Sequence, residues 1–419
     1  MDSRTKALCD FLNAAHSVYH AQAYLAETLK NAGYTRLYEQ DEWALAPGGK
    51  YFLTRGGSAL VAFRVPQGSP KGFLMSASHS DRPTFKVKEN FELAAAYTRM
   101  AVERYGGMLI APWLDRPLSV AGRVTVETEA GVETKLLDID RDLLLIPNVA
   151  IHMNRQANEG YKWNPAVDTL PLVGSAGAAG KLPALLEMEA GGKILGHDLY
   201  LYIRQKASVW GVDGEYISAA ALDDLECAWG CTQGFLASGD SGSLPVLCIF
   251  DNEEVGSATK QGAASTFLRD TLRRISLALG QDEEAFQTTL ARSFLVSADN
   301  AHAIHPDHPE YADADNCPRM NKGVVIKFNA NQHYATDGRS CAVFRAICTD
   351  AGVPVQVMAN RSDLPGGSTL GCIAGTLVPV STVDIGLAQL AMHSAWETMG
   401  TADCGYLADA MARCFETEL

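Results

Sequence analysis

Two glutamates stand side by side in "FDNEEVGS" (250–257), directly after the apolar run "LPVLCIF" (244–250). Carboxylates at the end of a buried segment can hold a metal or move a proton, whereas a short acidic cluster taken alone is ordinarily solvated surface. Neighbouring side chains on an extended chain point opposite ways, so Glu253 and Glu254 cannot easily share a task by facing one another. Other metal-type residues fall after similar runs. "GFLMSAS" (72–78) leads into His79-Ser80-Asp81, and "SFLVSAD" (293–299) ends on Asp299, with Asn300, Ala301 and His302 behind it. In His-x-Asp the carboxylate can accept the proton on the ring nitrogen that faces away from a metal, which fixes the tautomer. A single histidine of this kind is more often a core or surface residue. "ALDDLECAWG" (221–230) adds Asp223 and Asp224, and aspartate in that place also reads as a helix N-cap. "LAQLAMHSAWE" (387–397) sets His393 in an apolar helical run, where histidine is usually a satisfied core residue. The proline-broken "AHAIHPDHPEY" (301–311) carries His302, His305 and His308, and reads equally as a metal loop or as a polar loop beside a site.

These side chains need elements to carry them. The runs 72–78, 244–250, 293–299 and "VPVQVMA" (353–359) are almost continuously apolar, as strands covered on both faces by helices are. Helical spacing over 5–32 stops at Gly33, a suitable C-terminal cap, and further helices are expected over 263–280 and 388–399. This alternation predicts an α/β domain. Ligands of open α/β sheets bind outside the carboxyl ends of the strands, so three strand ends bearing acids and histidines predict one shared crevice. From about Asn90 to Ser218 the text changes to strands and turns, with a hairpin over 119–139 and breaks at Pro112, Pro117, Pro147, Pro165 and Pro171. A β-rich block interrupting an α/β pattern predicts an inserted domain over 90–218, with 1–89 and 219–419 folding together around it.

The bulk properties exclude more than they assign. A chain of 419 residues is long for one compact core. Its net charge of −14 offers no basic stripe to phosphates, so no nucleic-acid partner is expected. There is no run of about 18 apolar residues to span a bilayer, and the opening residues lack an apolar signal segment. The ten cysteines are scattered with no C-x-x-C pair, and Cys227 and Cys231 read as small core residues on a helix. That usage predicts a reduced, cytoplasmic protein without a thiolate zinc site.

Taken together, the motifs resemble the aspartyl aminopeptidase family of zinc metallopeptidases over nearly the whole chain. The resemblance is carried, in order, by "HSDRPTFKVK" (79–88), "YGGMLIAPWLDRPLSVAGR" (105–123), "IPNVAIHMNR" (146–155), "ALDDL" (221–225), "DNEEVGS" (251–257), "SADNAHAIHP" (297–306), "NKGVVIKFNANQHYAT" (321–336), "GGSTLG" (366–371) and "QLAMHS" (389–394). It implies a zinc-peptidase-like α/β sandwich with an inserted β-rich oligomerisation domain. It further implies two zinc ions per subunit, replaceable by cobalt or manganese, bridged by Asp223. His79 and Asp299 would complete one site, and Glu254 and His393 the other. Glu253 would be the catalytic base and Asp81 the carboxylate behind His79. Lys327 matches the position that contacts an acidic substrate side chain, and His152 matches a histidine that reaches a neighbouring subunit's active site. The implied activity is removal of an N-terminal Asp or Glu from peptides by a dimer-based homododecamer. Ser80, Arg82, Asp224 and Cys372 stand where the family usually has Thr, Ser, Asn and Pro. Competing expectations are a dizinc deacylase, an aminopeptidase of neutral specificity, and a non-catalytic metal-binding assembly protein.

Overall fold

The computed structural model describes residues 2–418. Its largest sheet has nine strands, and the middle four run parallel in the order Leu244–Phe250, Phe73–His79, Phe294–Ala298 and Ser381–Gly386. All residues of the first three are buried, as their continuous apolarity requires. Alternate side chains go to opposite faces. Leu247, Ile249 and Leu74 join a cluster with Trp229, Phe235 and Met411, whereas Val246, Cys248, Phe73 and Met75 join Phe267, Leu272 and Phe286. Each such large side chain contributes about 1.5–3 kcal/mol by leaving water, so both faces hold the strands in register. On the first face the helices Leu222–Ala237 and Asp403–Glu416 lie unusually close, and Gly234 permits it. A Cβ there would sit 2.6 Å from Met411 Cβ and 2.7 Å from the Ala408 carbonyl oxygen.

A separate six-stranded sheet is ordered Gly131–Asp138, Leu118–Thr128, Ile194–Ile203, Thr84–Ala94, Tyr97–Tyr105 and Leu172–Ser175. It has its own core of Phe85, Trp113, Leu118, Val124 and Leu199, closed by Leu182 and Leu186 of the helix Lys181–Ala190. The expected hairpin forms over Leu118–Asp138. A five-stranded sheet joins Ser208–Trp210, Tyr216–Ala219, Glu397–Gly400, Ala388–Leu390 and Ala301–His302.

Four local expectations are corrected. The helical stretch 5–32 is two helices, Ser3–Ala14 and Val18–Asn31, because Ser17 turns extended and caps the second by accepting from the His20 amide. Gly33, at φ +84°, ends it as expected. The strand Val355–Ala359 is an edge strand that pairs only with Val324–Phe328, so it is half-buried rather than covered on both faces. Residues 388–399 are not helical: two short strands, Ala388–Leu390 and Glu397–Gly400, pair with each other across a loop. Asp223 and Asp224 are not N-caps, since both have non-helical backbone and no side-chain cap bond forms there.

Candidate metal centre

The parallel strands end level with one another: Phe250 lies opposite His79, and Ser297 lies opposite Ala77. His79, the residues after Phe250 and Asp299 therefore leave the sheet at one edge, as the three apolar runs predicted. The turn at Glu253–Val255 is a single 3-10 turn entered through Asn252 at φ +64°. The chain is therefore not extended at the paired glutamates, and both face the same centre rather than opposite sides. His79, Glu253 and Glu254 each place a ligand atom within 4.8 Å of the others'. So do His79, Asp223 and Asp299, and so do Asp223, Glu254 and His393.

Asp223 is the common member. Its Oδ1 lies 3.6 Å from His79 Nε2, and its Oδ2 lies 3.4 Å from His393 Nε2. His393 Nε2 is also 3.3 Å from Glu254 Oε2. Behind His79, Asp81 Oδ1 lies 3.3 Å from Nδ1, leaving Nε2 to face the cluster. Asp81 also accepts the amides of Glu253 (3.1 Å) and Glu254 (3.2 Å) and the Tyr105 hydroxyl (2.6 Å). It thereby ties the end of one strand to the turn after its neighbour.

His393 reaches the cluster from a left-handed backbone, φ +65°, with Ala391 at φ +58°. A helix would have directed it along an apolar face; this loop turns it inward. The loop is anchored by Glu397, whose carboxylate accepts the His393 amide at 2.7 Å and the Asp223 amide at 3.1 Å. Sequence reasoning missed Glu397, because "AWETM" carries no signal beyond an acid in an apolar stretch. Tyr105 was missed for the same reason.

The electrostatics ask for cations. Burial raises Glu254 well above the ordinary carboxylate range, and the neighbouring Asp223 adds to it. Burial likewise lifts Asp299, against the pull of Lys327, and lifts Glu253 to about 7. His79 and His393 are raised in spite of burial, chiefly by the Asp223 carboxylate beside them. Asp223 is lowered, burial notwithstanding, by the same two histidines. Asp223 Oδ1 and Glu254 Oε1 are buried without a hydrogen-bond partner. Orphaned buried oxygens cost roughly 1–3 kcal/mol each, more when charged, unless something binds them. Imidazole and carboxylate donors without thiolate suit a catalytic rather than a structural zinc. The residues present thus fit zinc.

Asp224, where the resembled pattern has Asn, is fully buried, and burial raises its carboxyl well above the ordinary range. Its Oδ2 accepts the His79 amide at 3.1 Å. Aspartate there keeps an asparagine's shape and the acceptor oxygen that this contact uses.

The remaining candidates lie as follows. Lys327 is buried on the strand Val324–Phe328, with Nζ donating to the Asn300 carbonyl at 3.0 Å and Asp299 acting on its charge. His302, His305 and His308 belong to none of the ligand groups; the rings of His305 and His308 lie 5.3 Å apart, tilted by 37°, in an exposed loop. His152 is exposed in a turn of the segment after Pro147 and joins none of those groups.

Known proteins share this architecture. The sequence profile of the aminopeptidase I zinc metalloprotease (M18) family matches residues 11–415. The chain is 44% identical over 415 residues to a probable M18 family aminopeptidase 2 of Clostridium acetobutylicum, covering 96% of each. A protein of the same description from Pseudomonas aeruginosa is 41% identical over 415 residues, covering 96% of this chain and 95% of that one. Among solved structures, a chain of the Ape4 and Nbr1 complex superposes with a TM-score of 0.96 at 35% identity, over 99% of this chain and 85% of that chain. The S. cerevisiae mApe1 dodecamer superposes with a TM-score of 0.87 at 26% identity, over 99% of this chain and 96% of its own. Matched from end to end in sequence and fold, and carrying a donor set that fits zinc, the chain belongs to the M18 family of zinc metalloaminopeptidases.

Proposed function

We propose that the enzyme removes N-terminal Asp or Glu from peptides at a dizinc centre. The observation that carries the two-metal reading is the placement of Asp223, each of whose carboxylate oxygens faces a different histidine. With Asp299 on the His79 side and Glu254 on the His393 side, each half has three protein ligands. A pair of zinc ions there supplies positive charge that acidifies a water and polarises the scissile carbonyl. Glu253 accepts the proton of the attacking water and passes it to the departing amine nitrogen, so the base ends each cycle as it began. By lifting its carboxyl to about 7 before the opposing pull of bound zinc, burial strengthens it as a proton acceptor. Asp81 keeps the His79 tautomer and the glutamate turn fixed, and Glu397 does the same for the backbones of Asp223 and His393.

Asp223→Ala is expected to lose both metals, whereas His79→Ala or His393→Ala weakens one site first. Calorimetric zinc titration of the three variants checks this. Unchanged stoichiometry in Asp223→Ala removes it from the centre of the site.

The acidic preference rests on Lys327, a buried cation beside Asp299 rather than a strand-end lysine in solvent. Lys327→Met, which keeps most of the volume, is expected to lower kcat/KM for N-terminal Asp or Glu about 10–100-fold relative to Leu or Ala, the worth of one charge-assisted contact. An equal loss on all four aminoacyl-arylamides assigns Lys327 to the scaffold, and a wild-type preference for Leu establishes neutral specificity.

The block 90–218 we assign to assembly, with dimers building a closed homododecamer. Its segment after Pro147 exposes Val149 (52%), Ile151 (49%) and Met153 (78%), an apolar display that a monomer has no reason to keep. His152 sits within it and, on this reading, serves the neighbouring subunit's pocket.

A further inference from the structure

Behind the metal cluster lies a second cavity of about 120 Å³, where the N-terminal helix, the six-stranded sheet and the loop after His393 meet. Its walls include Leu12, Arg82, Trp113, Ile203, Lys206 and Glu397. Asp223 borders it, but His79, Glu253, Glu254, Asp299 and His393 do not, so it lies behind the ligand cluster rather than within it. A water needs roughly 10–15 Å³ by this measure, so the space has room for a molecule of several heavy atoms.

The donors and acceptors around it do not balance. Arg204 is paired with Asp140 and Asp142, and His16 with Asp138. Both oxygens of Glu397 already accept backbone amides. Arg82 remains, a residue on which Glu397 acts only as a more distant charge; among the described residues it has no hydrogen-bond acceptor and no ion-pair partner. Lys206, also of this wall, is exposed to solvent. A half-buried guanidinium without an acceptor in a cavity wall suits an oxyanion. The planar guanidinium matches a carboxylate's two oxygens. Asp223 and Glu397 in the same wall disfavour a doubly charged ligand, and Leu12 and Ile203 offer a surface to a hydrocarbon body.

We propose that this cavity binds a small monocarboxylate, forked by Arg82.

The test uses zinc-loaded enzyme, with an amino-acid hydroxamate present to occupy the metal centre. Sodium isovalerate is titrated by calorimetry at ionic strength held constant with chloride. The expected result is one saturable site per subunit, weakened roughly tenfold in Arg82→Met, as loss of a charged hydrogen bond predicts. Absence of saturable binding to the blocked wild type overturns the proposal, because the cavity then holds only water. Unchanged affinity in Arg82→Met overturns it as well. Where Arg82→Met does not fold, Arg82→Gln, which keeps a polar side chain but no charge, decides alone: unchanged affinity there rejects the site.

Discussion

Glu253→Gln is expected to lower kcat about 10²–10⁴-fold while the full complement of zinc stays bound. The amide keeps the size of the side chain and its place in the turn, whose amide N–H to Asp81 is untouched. What it removes is the ability to take a proton. The measurement needs both halves, because Glu253 lies within 4.8 Å of His79 and Glu254 ligand atoms and is itself a potential ligand. Elemental analysis beside kinetics separates the roles: zinc retained with activity lost identifies the base, and zinc lost identifies a ligand. The pH profile adds a second readout. Burial lifts the Glu253 carboxyl to about 7, and the positive charge of bound zinc lowers it again. The reactive form is deprotonated, so activity falls as pH drops through that pKa, which places the acid limb at or below pH 7. Residual activity of Glu253→Gln should lack this limb. A variant as active as wild type ends the assignment.

The strands and their ends were legible in the sequence; the way the ligands are presented was not. Buried parallel strands announce themselves by unbroken apolar runs, so the carriers of His79, the glutamates and Asp299 could be drawn from composition alone. His393 was misread as helical because Ala, Leu and Met around it fit either period, and nothing local encodes a left-handed turn at a non-glycine residue. The fixed point of that loop is Glu397, whose two hydrogen bonds join backbones 174 residues and 4 residues away. Long-range polar contacts of this kind leave no periodic trace. The paired glutamates failed for a related reason: alternation holds on a strand, and the strand ends at Phe250, before Asn252 turns the chain. Nor does the sequence show that Asp224 is buried deeply enough to raise its carboxyl well above the ordinary range.

His152→Ala and Glu253→Gln, each nearly inactive alone, are expected to restore activity to one another when assembled together. In the folded protomer His152 is exposed and belongs to none of the metal-ligand groups, yet it stands among the exposed apolar residues Ile151 and Met153. A polar group in an apolar display is what a subunit offers to a partner's pocket rather than to its own. If pockets are completed in trans, a protomer carrying His152→Ala keeps a working Glu253 and needs only a neighbour with His152 intact. The Glu253→Gln protomer supplies that neighbour, while its own pocket stays dead. With random pairing in symmetric dimers half of all dimers are mixed and each has one complete pocket, so about a quarter of the wild-type rate should return. Co-expression with two different tags, tandem purification and a rate assay per subunit measure it. A non-assembling pool gives no mixed species to purify, so recovery of the doubly tagged oligomer is itself the control for folding. Mixed oligomers no more active than the sum of the two variants place His152 in its own subunit's scaffold and make each pocket complete within one chain.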